Sequence, residues 1–532
     1  MEGKLNVMRV LVSDNLADIG IEMLRQAEGI DVDVNVGLSP EELKGIMKNY
    51  DALIIRSATR VTKEIIEAAP KLKVIARAGI GLDNVDIPTA TKNGIVVMNT
   101  PEGNVVTTAE HTISHLLALS RNISQGTASL KAGLWEKKKL RGREVFKKTL
   151  GLIGYGRIGS IVADRALGLK MKVIVYDPFV TEKVLEKAGV EAVSAEELFK
   201  RSDYITVHVP RMKSTIGLLN KAAFDQMKKG VMVINCARGG IINEADLLEA
   251  LQSGKVAGAA LDVFETEPPV GSPLFELNNV IGTPHLGAST TEAQINVAVS
   301  VASQVIDYLR EETIVNAVNV PSITGELLAR LKPYLLLADR MGSLHAQLAE
   351  GPIDEVAIEY MGDFFVDVSS LTTAVLKGLL TPILKDDVNS VNACVIAKDR
   401  GIKVVESKST HVEDYANSMT IRTRFSAGAN TISGTLFGKN DPRIVSINDS
   451  RLDLVPQGHI LCVHNEDRPG AIGVIGTVLG KHGVNIARMH VGQDTGGGHN
   501  VIFLVTDDSA SDEALQDLRS LALVNSVRPL EL

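Results

Sequence analysis

Thr149-Leu-Gly-Leu-Ile-Gly154-Tyr155-Gly156-Arg157-Ile158-Gly159, running on to Val173-Ile-Val-Tyr-Asp177, decides the fold. It reads as an apolar strand, a glycine turn, a helix and a second apolar strand that ends in an acid, which is half of a dinucleotide-binding unit. Gly154 permits the tight turn, Gly156 lets backbone approach a pyrophosphate, and Gly159 lets the helix pack on the sheet. Tyr155, Arg157 and Ile158 complete the turn, where free N–H groups and the positive end of the helix dipole suit phosphate. Asp177, 23 residues beyond Gly154, can accept hydrogen bonds from an adenosine ribose diol and would repel a 2′-phosphate. No Arg follows it immediately, so the expected cofactor is NAD rather than NADP.

Upstream, β-branched runs at 7–13, 32–36, 52–55 and 74–76 alternate with helical spacing at 19–27, 41–47 and 63–69. That alternation predicts a parallel sheet with helices on both faces. Downstream of Asp177 it continues through strands at 204–209, 231–235, 257–261 and 280–281, a doubly wound sheet from about 104 to 293. A long amphipathic helix from Thr291, with Val297, Val301, Val305 and Tyr308 along it, points back to the first domain. The expected fold class is therefore α/β: a Rossmann domain (104–293) inserted into a flavodoxin-like substrate domain (1–103 and 294–318), hinged near Asn104 and Thr291. Beyond Pro321 the texture changes to alternating strands, an α+β intervening domain over 319–455. Residues 456–532 read strand, helix, strand, strand, helix, strand, a ferredoxin-like unit.

A length of 532 residues fits three or four domains. A net charge of −8 with both signs interspersed argues against nucleic acid or an anionic membrane as partner. Cys236, Cys394 and Cys462 lack C-x-x-C spacing and read as structural thiols of a reducing compartment. Residues 1–6 lack the layout of a signal peptide, and no apolar run reaches about 18 residues. The expected location is the cytoplasm.

Three further motifs fall at carboxyl ends of predicted strands and so converge on one edge of the sheet: Asn235-Cys236-Ala237-Arg238-Gly-Gly240, Leu261-Asp262-Val-Phe-Glu-Thr-Glu267-Pro268, and Thr283-Pro-His285. Arg238 supplies a planar, always-charged donor for a carboxylate and carbonyl. His285 supplies a group that titrates near neutrality for a hydroxyl proton. Glu267 can fix the tautomer of His285 and stabilise its imidazolium. Singly, each is more simply a capping arginine, a solvated loop acid or a strand-end histidine. Together beside a dinucleotide site they suit hydride transfer to and from a 2-hydroxy acid. His111 and His115 have the spacing of two metal ligands, but Glu110 precedes His111 and no third ligand is apparent, so packing or capping is expected and no metal.

With these residues in place the chain resembles the D-isomer-specific 2-hydroxyacid dehydrogenases over nearly its whole length, in a long form with an intervening and a terminal ACT domain. The resemblance implies catalysis by Arg238, Glu267 and His285, with His208, Pro210, Cys236, Ala237 and Asp262 among the cofactor contacts. What narrows the substrate is Ile54-Ile-Arg56-Ser57-Ala-Thr59, Arg77-Ala78-Gly79-Ile80-Gly81-Leu-Asp83 and Asn99-Thr-Pro-Glu-Gly-Asn104. The resemblance implies that Arg56 and Arg77 bind a substrate phosphate, that backbone near Ala78, Gly79 and Gly81 holds the carboxylate, and that Ser57 and Asn104 lie beside them. From the residues alone, two guanidinium groups can chelate a dianion bidentately, while surface ion pairs are the plainer reading. Ile80 stands where some relatives carry a hydroxyl, so that contact must come from backbone. The basic stretch 137–143 after Trp135 is either a phosphate attractor toward a neighbouring subunit or a solvated loop.

ACT modules pair across subunits, and the resemblance implies an L-serine effector at Asp467 and Asn485, although many such modules only dimerise. It also implies anion-linked control of the intervening domain, with Lys439, Arg443 and Arg451 as candidates. The implied activity is NAD-dependent oxidation of 3-phosphoglycerate to 3-phosphohydroxypyruvate at the entry to L-serine synthesis, in a homodimer or homotetramer. The alternatives are a glyoxylate or hydroxypyruvate reductase, which would not need the phosphate arginines, and a dinucleotide-sensing corepressor-like binding protein.

Overall fold

Four sheets follow one another along the chain in the structure, a computed structural model that describes residues 7–321, 325–362, 367–411, 414–426, 428–448, 450–493 and 499–532. The stretch 1–6, read above for the layout of a signal peptide, lies outside the described residues. The first sheet comprises β1 (Met8–Val12), β2 (Ile30–Val34), β3 (Ala52–Ile55), β4 (Val74–Arg77) and β5 (Val96–Asn99), all parallel, in the order β2-β1-β3-β4-β5. Parallel strands need helical crossovers that cover both faces, so the central strands are continuous apolar runs. Val10, Val12, Ile54 and Ala76 seal one face, and Leu11, Leu53, Ile55 and Ile75 the other.

The chain leaves this sheet after Asn99 and returns with helix Thr291–Glu311. Val297, Ala298, Val301, Ala302 and Val305 of that helix are buried in the same cluster as Val10 and Ile54. Each fully buried valine contributes roughly 1.5–3 kcal/mol, so the valine stripe anchors the return. Helix Asp18–Gln26 crosses it closely at Gly20, where a Cβ would lie 2.8 Å from Ala298 O. Ala317 then pairs with Met98, and Val318 N donates to Val97 O, extending the sheet by a short antiparallel edge.

Between the two crossings stands the second sheet: β6 (Thr149–Ile153), β7 (Lys172–Tyr176), β8 (Glu191–Ala192), β9 (Tyr204–Val207), β10 (Val231–Asn235), β11 (Val256–Leu261) and β12 (Val280–Gly282). The strands are parallel in the order β12-β11-β10-β9-β6-β7-β8. The order reverses between β6 and β9, and such a switch point opens a crevice beyond the strand ends. The two crossings touch each other: Thr108 Oγ1 donates to Gly287 O, and the hydroxyls of Thr107 and Thr290 are 3.3 Å apart.

The third sheet is mixed. It comprises β13 (Ile353–Gly362), β14 (Lys403–Ser409), β15 (Asn417–Phe425), β16 (Gly428–Phe437), β17 (Asp441–Ile447) and β18 (Ser450–Leu454), in the order β14-β13-β15-β16-β17-β18, with only β13 and β14 parallel. Alternating strands alone do not describe this region. Helices Gly325–Leu348 and Ser369–Leu384 supply much of its core, and Pro333 and Pro382 inside them interrupt the helical signal in sequence.

The fourth sheet, β19 (His459–Glu466), β20 (Ile486–Gln493), β21 (His499–Thr506) and β22 (Val524–Glu531), is antiparallel in the order β20-β21-β19-β22. With helices Ala471–Lys481 and Asp512–Arg519 it makes the βαββαβ unit read from the sequence. Ile460, Cys462, Phe503 and Leu530 of this sheet join one apolar cluster with Leu337, Met341, Val356 and Ile421, so the two C-terminal sheets share a core. A separate joint reaches the first sheet: Asn389 Nδ2 donates to Gly94 O at 2.8 Å, and Val391 is buried against the cluster of β1. No helix among the described residues is long and apolar enough to cross a membrane.

His345 is wholly enclosed in the shared core. Its Nε2–H donates to Ile421 O at 3.1 Å, and Nδ1 accepts from Thr423 Oγ1 at 2.9 Å. Burial pushes its imidazole down to about 3. Below about pH 6.5 the unfolded chain binds a proton that the folded chain refuses, so this contribution to stability is present above that value and is lost as the pH falls toward the folded one. The melting temperature is expected to fall as the pH drops from 6.5 toward about 4. His345→Gln, which keeps a donor and an acceptor but does not titrate, should fall less steeply. Equal slopes in calorimetry would overturn this.

Candidate active site

A cavity of about 870 Å³ opens between the strand ends of the first and second sheets. One wall begins at the glycine turn. Gly154 takes φ of 92°, a left-handed conformation. A Cβ at Gly159 would overlap Gly154 O, whereas one at Gly156 would meet nothing within 4 Å. So Gly159 is glycine for packing and Gly156 for the approach of something from the cavity. Helix Arg157–Gly168 has no side-chain cap, and Gly156, Arg157 and Ile158 at its start line the cavity. Open N–H groups at a helix N-terminus beside empty space fit a pyrophosphate. Asp177 sits behind this wall with Gly154, Tyr155 and Gly159, its carboxylate accepting from Tyr155 N at 2.7 Å and Phe179 N at 2.8 Å. His208, Pro210, Cys236 and Ala237, from the ends of β9 and β10, continue the wall.

Beyond them stand the three chemical side chains. Arg238 is presented by a loop that Asn235 closes, with Asn235 Nδ2 donating to Arg238 O and Oδ1 accepting from Ala237 N. Glu267 Oε2 accepts from His285 Nδ1 at 2.8 Å, and its other oxygen accepts from Phe264 N. With Nδ1–H given to a carboxylate, Nε2 of His285 carries the free lone pair. His285 itself has φ of 55°, a left-handed conformation that costs a non-glycine residue of order 1–3 kcal/mol.

What holds that strained residue is Asp262, which is 1% exposed. Its backbone O accepts from His285 N, and its carboxylate accepts from Leu286 N at 2.7 Å, Gly287 N at 2.8 Å and Thr283 Oγ1 at 2.5 Å. His111 Nε2 lies 3.2 Å from the same carboxylate. Burial would raise the Asp262 carboxyl, but hydrogen bonds from His111, Thr283 and Leu286 more than offset this and hold it below its ordinary value. His115 Nε2 lies 2.8 Å from Thr283 Oγ1 and 3.1 Å from His111 Nε2, and its burial pushes it down to about 4. Cys236 completes a group of three possible ligands within 4.8 Å of one another. Its thiol is pushed up to about 12 by burial, so it stays protonated. The two histidines are thus spent on Thr283 and Asp262, and they brace the His285 loop.

The opposite wall belongs to the first sheet and carries Arg56, Ser57, Arg77, Gly79, Gly81 and Asn104. Asp14, a residue the sequence does not flag, fixes the Arg56 loop by accepting from Arg56 N at 2.6 Å and Thr59 Oγ1 at 2.7 Å. Arg77 is mostly buried, and its Nε has no acceptor among the described residues. Burial and the neighbouring Arg238 push its guanidinium down to about 10. The amides of Ala78 and Gly79 donate to Ile55 O and Arg77 O. Those of Ile80 and Gly81 have no acceptor among the described residues, so they are the ones open to a ligand.

Other expected residues lie elsewhere. The stretch 137–143 is off the cavity wall, with Lys139 paired to Glu136 and Arg143 donating to Gly230 O. Arg443 is ion-paired with Asp441 and, at 2.9 Å, with Asp453, while Arg451 pairs with Asp414. These pairs leave little charge over for a second anion site beside Lys439. Asp467 accepts from Asn500 at the start of β21, whereas Asn485 donates to Asp507 just past its end. Seven residues of extended strand put them roughly 23 Å apart, so one chain does not bring the two together.

Such a cleft suits hydride exchange with a small anionic 2-hydroxy acid, and residues 113–287 match the NAD-binding domain of the D-isomer specific 2-hydroxyacid dehydrogenases. Residues 330–448 match the D-3-phosphoglycerate dehydrogenase intervening domain and 459–523 the ACT domain. The D-3-phosphoglycerate dehydrogenase of Synechocystis sp. is 42% identical over 526 residues, covering 98% of this chain and 95% of its own. That of Bacillus subtilis is 42% identical over 528 residues, 99% and 100% of the two chains. The chain belongs to the D-3-phosphoglycerate dehydrogenases. Among solved structures, D-lactate dehydrogenase from Aquifex aeolicus complexed with NAD and lactic acid is similar with a TM-score of 0.53 and 29% identity, covering 59% of this chain and all of that one.

Gly156→Ala should leave the melting temperature unchanged and weaken NADH binding by about tenfold or more. Gly159→Ala should destabilise the fold by about 1–3 kcal/mol. Fluorescence titration of NADH alongside thermal melts separates the two, and equal losses of stability would contradict the packing argument.

Proposed function

We propose that the cleft oxidises 3-phosphoglycerate at C2 to 3-phosphohydroxypyruvate with NAD, the first step toward L-serine. The observation that carries this reading is Arg77, whose buried Nε lacks an acceptor, beside Arg56 on the first-sheet wall and facing Arg238 from the second. A buried donor of this kind is costly until an anion arrives, and a phosphate dianion accepts from two guanidinium groups at once. An unphosphorylated glyoxylate or hydroxypyruvate would leave it unsatisfied, which disfavours the reductase reading.

When bound, the nicotinamide supplies the hydride acceptor. Arg56 and Arg77 hold the phosphate, and the amides of Ile80 and Gly81 take the carboxylate. Arg238 draws the C2 oxygen into register. His285 Nε2 takes the hydroxyl proton as the C2–H bond gives up its electron pair, while Glu267 keeps the proton on Nδ1 and balances the imidazolium that forms. In this reading 1–103 with 294–318 bind substrate, 104–293 bind cofactor, and 319–455 and 456–532 regulate.

Arg77→Ala and Arg56→Ala should each lower kcat/KM for 3-phosphoglycerate by about tenfold to a hundredfold, the range for a hydrogen bond to a charged group. Activity on unphosphorylated 2-hydroxy acids should change far less. Unchanged preference in steady-state kinetics sinks the phosphate assignment. His285→Asn should lower kcat by about 10²–10⁴ with NADH affinity retained, an outcome that a dinucleotide-sensing corepressor would not share.

For the terminal unit, we infer L-serine control at Asp467 and Asn485, each completed by the partner residue of a second copy, because one chain holds them at opposite ends of β21. Asn485→Ala should raise the serine concentration needed for half inhibition. Wild-type activity that ignores serine would end this reading.

A further inference from the structure

Arg238 carries its guanidinium on the second sheet, yet its charged partner is on the first. Arg238 Nε donates to Asp83 Oδ2 at 3.0 Å across the cleft, an ion pair between residues 155 positions apart. Asp83 ends the Arg77–Asp83 loop, and both partners line the cavity. The other atoms of the guanidinium are placed as narrowly. Nη1 donates to Ala237 O at 2.7 Å, and Nη2 lies over Gly81, where a Cβ would overlap it. Arg77 approaches the same spot, its Nη1 3.0 Å from that Cβ position.

Three guanidinium groups thus converge on one cavity, Arg56 and Arg77 from the first sheet and Arg238 from the second, with Asp83 the carboxylate paired to Arg238. Arg77 feels this directly, pushed down by burial and by Arg238 and pulled back up by Asp83. Without Asp83, like-charge repulsion would drive Arg238, on a side chain with several free rotations, toward the open cleft. With Asp83 in place the Nε edge is occupied and the Nη2 side lies against Gly81 on the cavity wall, where the proposed function seats the substrate carboxylate. We propose that Asp83 is a positioning residue: it holds Arg238 by its Nε edge across the cleft so that the remaining donors are aimed before substrate binds. The proposal rests on the reading of Arg238 as the substrate-facing donor. The exposure of Asp83, whose side chain is 58% accessible, fits a pair that tightens when substrate fills the cleft and excludes water.

The test is a double-mutant cycle in the full-length enzyme, using Asp83→Asn, Arg238→Lys and the double variant, assayed on whichever 2-hydroxy acid the wild type oxidises best. Failure of 3-phosphoglycerate as that substrate would sink the functional reading without touching Asp83. Asp83→Asn should lower kcat/KM by about tenfold to a hundredfold, the scale set by misplacing a reacting group by about 1 Å. Its NADH affinity and melting temperature should match wild type, and Asp83→Glu should recover part of the loss. In the Arg238→Lys background Asp83→Asn should cost less than about twofold, because the residue acts through the guanidinium. Full activity in Asp83→Asn overturns the proposal, and so does an equal loss in both backgrounds.

Discussion

The buried carboxylate of Asp262 is the constraint on which the cleft's His285 loop depends. It ends β11, gathers the amides of Leu286 and Gly287 and the hydroxyl of Thr283, and faces His111 from the helix that makes the first crossing between sheets. A carboxylate removed from water is costly unless its lone pairs are filled, and here they are. The same bonds that satisfy Asp262 hold His285 in a backbone conformation it would not choose. The burial of Asp262 and the geometry of the His285 loop are therefore one problem with one solution. Strain at His285 is affordable only because the loop around it is over-determined.

Much of this was legible in the sequence because the signals are local. The glycine turn, its helix and the acid at the end of the next strand fall within thirty residues, and each glycine has a distinct steric reason. Arg238, Glu267 and His285 share one edge because parallel strands point their carboxyl ends the same way. What the sequence does not reveal is what long-range contacts decide. Asp262 reads as one more strand-end acid until Thr283 and His111 close on it. Asp14 reads as the end of a strand, and Asp83 as part of a substrate loop. Ala78 and Gly79 look like free amides until β3 takes one and a tight turn the other, leaving Ile80 and Gly81 open. The helices over the third sheet hide because Pro333 and Pro382 interrupt their pattern.

The C-terminal half adds a second lesson about units. Residues 319–532 read as two texture-distinct pieces, yet Phe503 and Leu530 of the fourth sheet pack into the same cluster as Met341 and Ile421 of the third. Two small sheets that share a core resist moving independently, since sliding one past the other would expose that surface. Their hold on the first sheet is slighter: Asn389 on Gly94 O and a buried Val391. Gly94 immediately precedes β5, which ends at Asn99 just before the first crossing. The two joined C-terminal sheets thus meet the first sheet beside the strand that leads into the first crossing.

The cleft wall also describes its ligand by what it lacks. Around the cavity the chain leaves donors over: the first N–H groups of the helix at Arg157, the amides of Ile80 and Gly81, and Nε of Arg77. Against these stand the carboxylates of Asp83 and Glu267, already given to Arg238 and His285, and Nε2 of His285, left with its lone pair because Nδ1 is bonded to Glu267. A wall rich in donors with a single basic lone pair calls for ligands rich in acceptors with one proton to give. A pyrophosphate meets the first set and a phosphorylated 2-hydroxy acid the second, the hydroxyl being the one group on either that must be deprotonated.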